Sequence, residues 1–235
     1  MSCLLMGGQA CVLYGAAEFS RDTDFAILAD TENLARLRDA LDELQAERIA
    51  IPPFAPEYLD MGLAVHFRCH HPGARNMRID IMAKMRGVDD FPELWQRRTT
   101  LDADGESVEL LSLPDLVQCK KTQRDKDWPM IARLLEVNYF NNRDRPTQEQ
   151  ITFWLRELRS PSLLIEVAST FAAECRQVVA NRPLLSLAMA NDEVELNRAI
   201  KEEEQEEREA DRRYWLPLKE ELQRLRHAER RSSGK

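Results

Sequence analysis

The amino-acid sequence predicts an α+β protein, with a mixed sheet in its first domain and a mostly helical part after it. Residues 1–82 alternate short strand-like apolar runs with helical segments, whereas from residue 111 onward apolar residues recur at helical spacing. The predicted divisions are a sheet domain over residues 1–110, a helical domain over residues 111–200, and an acidic, then amphipathic, helical tail over residues 201–235.

Composition bounds the class of protein. Of the 235 residues, 43% are hydrophobic and 31% are charged, which is typical of a folded chain with a core. The net charge of −8 argues against a generally basic surface for nucleic acid. Five dispersed cysteines without a CxxC pair favour a reducing compartment. No apolar run is long enough to cross a bilayer and no basic residue precedes the first one, so we expect a cytoplasmic protein without a membrane partner.

The first elements surround a glycine pair. Residues 3–6 form an apolar run that predicts a strand, Gly7 and Gly8 predict a turn, and a helix is expected from about Gln9 to about Gly15. Glycine lets the backbone approach a ligand closely, and a helix N-terminus offers N–H donors to phosphate. This turn is therefore a candidate phosphate site.

The next run, residues 22–29, predicts a strand that carries two carboxylates. Strand alternation puts Phe25 and Ile27 on one face and Asp22 and Asp24 on the other. Thr31 is the predicted N-cap of a helix that runs to about residue 48 with leucines at helical spacing.

A predicted hairpin then supplies a third carboxylate. Residues 62–69 and 77–85 read as its arms, with a turn around residues 70–76. Ile79 and Ile81 share one face of the second arm, while Arg78 and Asp80 share the other. The cluster "HFRCHH" predicts exposed histidines at a strand end rather than a zinc site, and His66, near the strand of Asp80, is left as a candidate for lining the acceptor side.

From residue 111 onward helices are expected throughout. Pro114 suits the first turn of one helix, and "KKTQRDKDW" is expected to be helical whether its cations bind a ligand or face solvent. Residues 201–213 predict a solvated acidic helix face. Four apolar residues after it recur at helical spacing and are expected to dock on a surface or a partner: Tyr214, Leu218, Leu222 and Leu225.

Three aspartates on two strands suit a hard cation. Asp22 and Asp24 are about 7 Å apart along a strand, and Asp80 from a neighbouring strand would complete a cluster. Magnesium prefers carboxylate oxygens together with substrate phosphates. Such a cluster can hold two ions and is suited to phosphoryl or nucleotidyl transfer.

The order "LLMGG", a thirteen-residue gap, "DTD" and a distant "RIDIM" resembles the nucleotidyltransferase superfamily that includes DNA polymerase beta. The segment "LSLPDLVQCKKTQRDKDWPMIARLLE" is similar to a motif of its stand-alone bacterial branch, which includes type IV toxin–antitoxin toxins. The resemblance covers residues 4–136. Gly8 stands where much of the superfamily has serine, and the chain begins a few residues before the glycines, where relatives often have a helix.

The resemblance implies a role for each matching residue. Asp22 and Asp24 would hold Mg²⁺, with two ions possible, and the triphosphate of the NTP. Asp80 would be the third metal-binding carboxylate and the candidate base. The nucleotide-binding positions implied by the motifs are Gly7, Gly8, Ser20, Lys120, Lys121, Arg124 and Lys126.

The implied activity is transfer of NMP from an NTP to an acceptor with release of pyrophosphate. The acceptor stays open between tRNA, protein and a small molecule, as does an antitoxin partner or self-association through the C-terminal helix. The alternative is a catalytically inactive nucleotide-binding or partner-binding protein on the same fold.

Overall fold

A computed structural model describes residues 1–103 and 105–233. The chain forms two compact units. Unit 1 comprises Met1–Cys119 together with the chain from Arg212 onward, and unit 2 comprises Lys120–Asp211. The domain boundary predicted after residue 110 lies inside unit 1, and the tail predicted from residue 201 is shared between the units. The last two residues of that tail lie outside the described residues.

Unit 1 contains a seven-stranded mixed sheet in the order β3-β4-β5-β2-β1-β7-β6. Its strands are β1 (Cys3–Met6), β2 (Asp22–Ile27), β3 (Ala46–Arg48), β4 (Val65–Cys69), β5 (Arg78–Met82), β6 (Thr99–Ala103) and β7 (Glu106–Leu110). Strand β2 runs antiparallel to β1 and parallel to β5. The predicted α+β class, with a mixed sheet and a helical C-terminal part, is confirmed.

Helices account for the rest of the regular structure. Before the unit boundary lie α1 (Gly7–Leu13), α2 (Thr31–Glu43), α3 (Pro56–Asp60), a 3₁₀ turn (Pro72–Ala74), α4 (Phe91–Gln96) and α5 (Leu113–Lys120). After it lie α6 (Asp127–Asn142), α7 (Gln148–Glu157), α8 (Pro161–Thr170), α9 (Ala172–Val178), α10 (Leu185–Met189) and α11 (Glu193–Ser233).

One face of β2, β4 and β5 packs in the core, and the opposite face of β2 and β5 carries charged side chains. Leu34, Leu37 and Leu41 of α2 pack on Ile27, Ile79 and other apolar residues of β2, β4 and β5. The alternation predicted for β2 and β5 is confirmed, because Ile79 and Ile81 are buried while Asp22, Asp24 and Asp80 are only partly so. The aspartates therefore do not have to enter the core.

Several local predictions in unit 1 were wrong. The N-cap of α2 is Asp30, not Thr31, and its carboxylate accepts a hydrogen bond from the Asn33 N–H. The helix ends at Glu43 rather than near residue 48, because Gln45 adopts a positive φ of 50° and the chain continues as the edge strand β3. The hairpin of β6 and β7 was not predicted, since Thr99–Leu110 lacks a continuous apolar alternation.

The segment between α5 and α6 is not helical, contrary to the prediction for "KKTQRDKDW". The Thr122 hydroxyl donates to Asp127 Oδ2 at 2.5 Å and accepts from the Arg124 N–H at 3.1 Å. Trp128 Nε1 donates to the Thr122 carbonyl at 2.8 Å. Such local side-chain bonds to the backbone compete with helical bonding and explain the break.

The long helix α11 also differs from the prediction. Its acidic half was expected to be solvated, but Glu203 accepts hydrogen bonds from Arg159 and Arg182, whose side chains are 7% and 4% exposed. The acidic run therefore contributes to a buried ion-pair cluster in unit 2, even though it has almost no apolar side chains. Glu202, its neighbour, is 60% exposed as predicted.

Candidate functional site

The three predicted carboxylates lie on one face of two adjacent parallel strands. In the β2–β5 pair, Asp24 is the register partner of Asp80, and Asp22 is the partner of Arg78. Neighbouring strands lie about 4.8 Å apart, so Asp24 and Asp80 are next to each other on the sheet. The structure thus brings together residues that are 56 positions apart in the sequence.

The glycine pair lies very close to β2 and to the segment just before it. Gly7, at φ +65°, lies so close to Asp24 that a Cβ atom there would be 1.9 Å from Asp24 Oδ2. A Cβ atom at Gly8 would be 2.3 Å from Ser20 Oγ. Both glycines therefore allow a close approach that any side chain would prevent.

Ser20 is fixed in this arrangement by two further hydrogen bonds. Its hydroxyl donates to the Asp22 carbonyl at 3.1 Å, and its carbonyl accepts from Gln9 Nε2 of α1 at 3.1 Å. The segment before β2 is thereby attached to the first turn of α1. Gly7, Gly8, Ser20, Asp22, Asp24 and Asp80 consequently form one continuous part of unit 1.

Asp80 is held by two basic side chains to which the sequence motif assigned no role. Arg78 Nε donates to Asp80 Oδ1 at 2.9 Å, and Arg78 Nη2 donates to Oδ2 at 3.0 Å. His66 of β4, the register partner of Asp80, places Nδ1 2.8 Å from Oδ1. Both carboxylate oxygens of Asp80 therefore contact charged or polar nitrogen donors of the chain itself.

These contacts set the ionisation of the pair. Burial raises the pKa of Asp80, but the hydrogen bonds and charges of His66 and Arg78 outweigh it and lower that pKa overall. The pKa of Arg78 is raised, first by its hydrogen bonds to Asp80 and also by the charges of Asp22 and Asp24. Asp80 is thus an ionised carboxylate of reduced basicity, and Arg78 is a permanent cation.

Sequence reasoning placed Arg78 on the same face as Asp80 but gave it no role. The signal was present, because residues two apart in a strand share a face and an arginine beside three aspartates has oppositely charged neighbours. His66 is the register partner of Asp80 in the β4–β5 pair, and its place on the acceptor side stays a prediction.

The four predicted basic residues belong to unit 2, and three of them have acidic partners there. Lys121 is buried and places Nζ 2.9 Å from Glu157 Oε2. Arg124 Nε donates to Asp127 Oδ2 at 2.7 Å, and Lys120 Nζ lies 3.8 Å from Asp127 Oδ1. Lys126 is exposed in the turn before α6. Their assignment to nucleotide binding stays a prediction.

The donor set around β2 and β5 fits a hard divalent cation, since carboxylate oxygens are the ligands that Mg²⁺ prefers. As their side chains are placed, the described residues include no group of three or more His, Cys, Asp or Glu side chains that converge to hold a metal ion. Asp80 is instead directed to Arg78 and His66. Magnesium binding remains a prediction for Asp22, Asp24 and Asp80.

Comparison with known proteins gives limited information. No protein-family model matches the chain, and no curated protein matches it significantly. A crystal structure of an antigenic nucleotidyltransferase-like protein from Paracoccidioides brasiliensis is similar over 80% of this chain and 84% of that one, with 19% identity and a TM-score of 0.38. Similarity of this size does not assign a family or an activity.

No helix among residues 1–103 and 105–233 combines the length and the apolar character needed to cross a membrane.

Proposed function

We propose that the chain is a metal-dependent nucleotidyltransferase that moves NMP from an NTP to an acceptor and releases pyrophosphate. The observation that supports this most strongly is the fit of the glycine pair to the motif. Gly7 and Gly8 make side-chain-excluding approaches to Asp24 and Ser20, and Asp24 lies beside Asp80 across the sheet. A glycine pair at the start of α1, a DxD strand and a third carboxylate are thereby close together in unit 1.

The reaction needs little covalent chemistry from the protein. An acceptor oxygen forms a bond to the α-phosphorus, the bond from that phosphorus to the α,β-bridging oxygen breaks, and its electron pair leaves with pyrophosphate. When bound, Mg²⁺ supplies positive charge to the triphosphate. In this proposal Asp22 and Asp24 hold the ion, and the Gly7–Gly8 backbone gives the phosphates room to approach.

In this proposal the proton of an attacking hydroxyl passes to solvent water as the bond to phosphorus forms. The resemblance makes Asp80 the candidate base, but its lowered pKa makes it a weaker base than an ordinary carboxylate. We therefore assign Asp80 to the charge balance of the site and do not carry the base into the proposal.

The proposal also covers the class of acceptor, the location of the protein in the cell and its biological role. A hydroxyl or phosphate on tRNA, a protein or a small molecule is a suitable acceptor class. A cytoplasmic location agrees with five cysteines that form no disulfide. The toxin-like branch rests on the motif resemblance alone, and a small DNA-binding antitoxin encoded beside this gene would support it.

The direct test is transfer of label from α-³²P NTPs to tRNA, protein and small-molecule acceptors in the presence of Mg²⁺. We expect Asp24→Asn to reduce transfer about 100-fold or more, because removing a metal-binding carboxylate costs several kcal/mol of transition-state stabilisation. The control is Asp39→Asn, an exposed aspartate of α2, the helix that covers the opposite face of the sheet.

The outcomes separate the two hypotheses. Label transfer that is unchanged in Asp24→Asn would contradict the proposed site. Magnesium-dependent NTP binding without transfer to any acceptor would favour the alternative, a catalytically inactive binding protein on this fold.

A further inference from the structure

The further inference concerns Arg78, whose guanidinium occupies the position next to the third carboxylate. It donates two hydrogen bonds to Asp80, at 2.9 and 3.0 Å, in the bidentate geometry of a strong charged pair. Its Nη2 also lies 3.3 Å from His66 Nδ1. Contacts from two strands therefore restrict the position of this side chain.

Arg78 is also close to the other two carboxylates. Asp22 is its register partner across the β2–β5 pair, and the charges of Asp22 and Asp24 both act on it. A guanidinium cannot lose its proton under physiological conditions, so the positive charge is permanent. The chain itself thus brings one cation to the cluster of three aspartates.

The charge balance then differs from that of an isolated set of three aspartates. Both oxygens of Asp80 are bonded to Arg78, so Asp22 and Asp24 are the carboxylates of the set that a divalent cation would contact. A second divalent ion at Asp80 would have to displace the guanidinium from both oxygens and would be repelled by it at short range.

We propose that the site takes a single divalent cation, on Asp22 and Asp24, and that Arg78, held by Asp80, supplies the second positive charge beside it. Its side chain is 37% exposed, so part of the guanidinium is accessible to a phosphate oxygen. Arginine suits this role because its planar donors match phosphate geometry. The nature of that anion, an NTP, rests on the proposed function.

The test measures binding of Mn²⁺ by electron paramagnetic resonance, with and without ATP, so that it does not depend on catalysis. We expect one Mn²⁺ per wild-type chain. Asp24→Asn should weaken binding at least about tenfold, because it removes a ligand. The double variant Arg78→Gln/Asp80→Asn should keep one Mn²⁺ within about threefold of wild type, because it removes a matched pair of charges.

A single substitution of Arg78 can be compared directly with a matched substitution elsewhere on the same face. Arg78→Gln should tighten Mn²⁺ binding about tenfold, because a nearby like charge is lost. The matched control is Arg68→Gln, which removes the same charge from the same face, at the position opposite Arg78 in β4. Arg68 is exposed, and its effect should stay within about twofold because solvent screens it. Circular dichroism confirms that each variant is folded.

Several results would overturn the inference. Two Mn²⁺ ions per wild-type chain would do so, as would a double variant that loses Mn²⁺ as severely as Asp24→Asn, since Asp80 would then be a ligand. A wild-type chain that binds no Mn²⁺ would overturn the inference and the proposed function together. One Mn²⁺ bound in the predicted manner without NMP transfer to any acceptor would support the inference and contradict only the proposed function.

Discussion

Gly7 is the residue at which backbone conformation and the candidate site depend on each other most directly. We expect Gly7→Ala to abolish NTP binding and transfer, because its methyl group would overlap the Asp24 carboxylate. A left-handed φ adds a strain of about 1–2 kcal/mol for a residue with a Cβ atom. Isothermal titration with ATP and Mg²⁺, combined with thermal unfolding, measures both effects.

Gly105 provides the control for this prediction. Its φ of +86° is equally unfavourable for alanine, but a Cβ atom there would meet nothing within 4 Å. Gly105→Ala should therefore show only the conformational cost, about 1–2 kcal/mol, and normal ATP binding. If the two variants bind ATP equally well, the contact between Gly7 and Asp24 has no part in the site.

The positions of single residues in the site could largely be predicted, because they follow from the alternation of side chains along a strand. Strand alternation placed Asp22 with Asp24 and kept both out of the core, as observed. The contact of Gly8 with Ser20 could not be derived, because it depends on how the loop before β2 returns to α1. The partners of Asp80 come from the register of β4 and β5, and composition does not determine register.

At the scale of elements, the ion-pair cluster on α11 makes a prediction about stability. Glu203 accepts from Arg182 at 2.9 Å and from Arg159 at 2.8 Å, and both arginines are almost fully buried. Glu203→Gln would leave them without their shared carboxylate, which we expect to cost about 3–5 kcal/mol. Urea unfolding at neutral pH measures the change in free energy.

The adjacent glutamate is the matched control. Glu202 pairs with Arg198 at 2.9 Å, but their side chains are 60% and 64% exposed. Glu202→Gln should change the free energy of unfolding by less than about 0.5 kcal/mol, because exposed pairs contribute little. Equal effects of the two substitutions on the free energy of unfolding would show that the buried ion pairs stabilise the fold no more than an exposed pair does.

The same cluster should respond to pH in a defined direction. Burial raises the pKa of Glu203, but the charge and hydrogen bonds of Arg182 and the charge of Arg159 lower it overall, below the usual range of a glutamate. The stabilisation by Glu203 is therefore complete above about pH 4.5 and is lost as the pH falls through the lower folded-state pKa. The wild type and Glu203→Gln should converge in stability at acidic pH, as measured by urea unfolding between pH 3 and 7.

Elements with strong patterns were predicted, and those that depend on pairing partners were not. The α7 helix begins with a capping box at Thr147 and Gln150 and lies in the region after residue 111 where helices were predicted. The edge strand β3 and the hairpin of β6 and β7 have weak patterns. Strand β3 pairs with β4, and β7 pairs with β1 across about a hundred residues, so long-range contacts determine both.

At the scale of the molecule, unit 1 is built from two distant parts of the sequence. Its last part is the second half of α11, which continues from unit 2 without a break in the helix. Tyr214 Oη lies at Gly62, where a Cβ atom would be 2.7 Å from it, and Gly62 has a φ of +89°. The predicted docking of this amphipathic half on a surface is thus observed within unit 1 itself.

The two leucines on either side of Pro217 should contribute very differently to the free energy of unfolding. Leu218 is 7% exposed, whereas Leu216 is 59% exposed. Leu218→Ala should lower the free energy of unfolding by about 2–5 kcal/mol, the usual cost of truncating a buried leucine. Leu216→Ala, which makes the same chemical change at an exposed site two residues away, should stay within about 0.5 kcal/mol of wild type.

Urea unfolding followed by both circular dichroism and tryptophan fluorescence measures these changes and reveals whether the two units unfold together. A large effect of Leu218→Ala would show that the end of the chain stabilises a unit whose sheet begins at Cys3, more than two hundred residues earlier. Removal of the chain after Asp211 should then destabilise the part of unit 1 that contains the sheet. Equal, small effects of both substitutions would mean that Met1–Cys119 is stable without the helix.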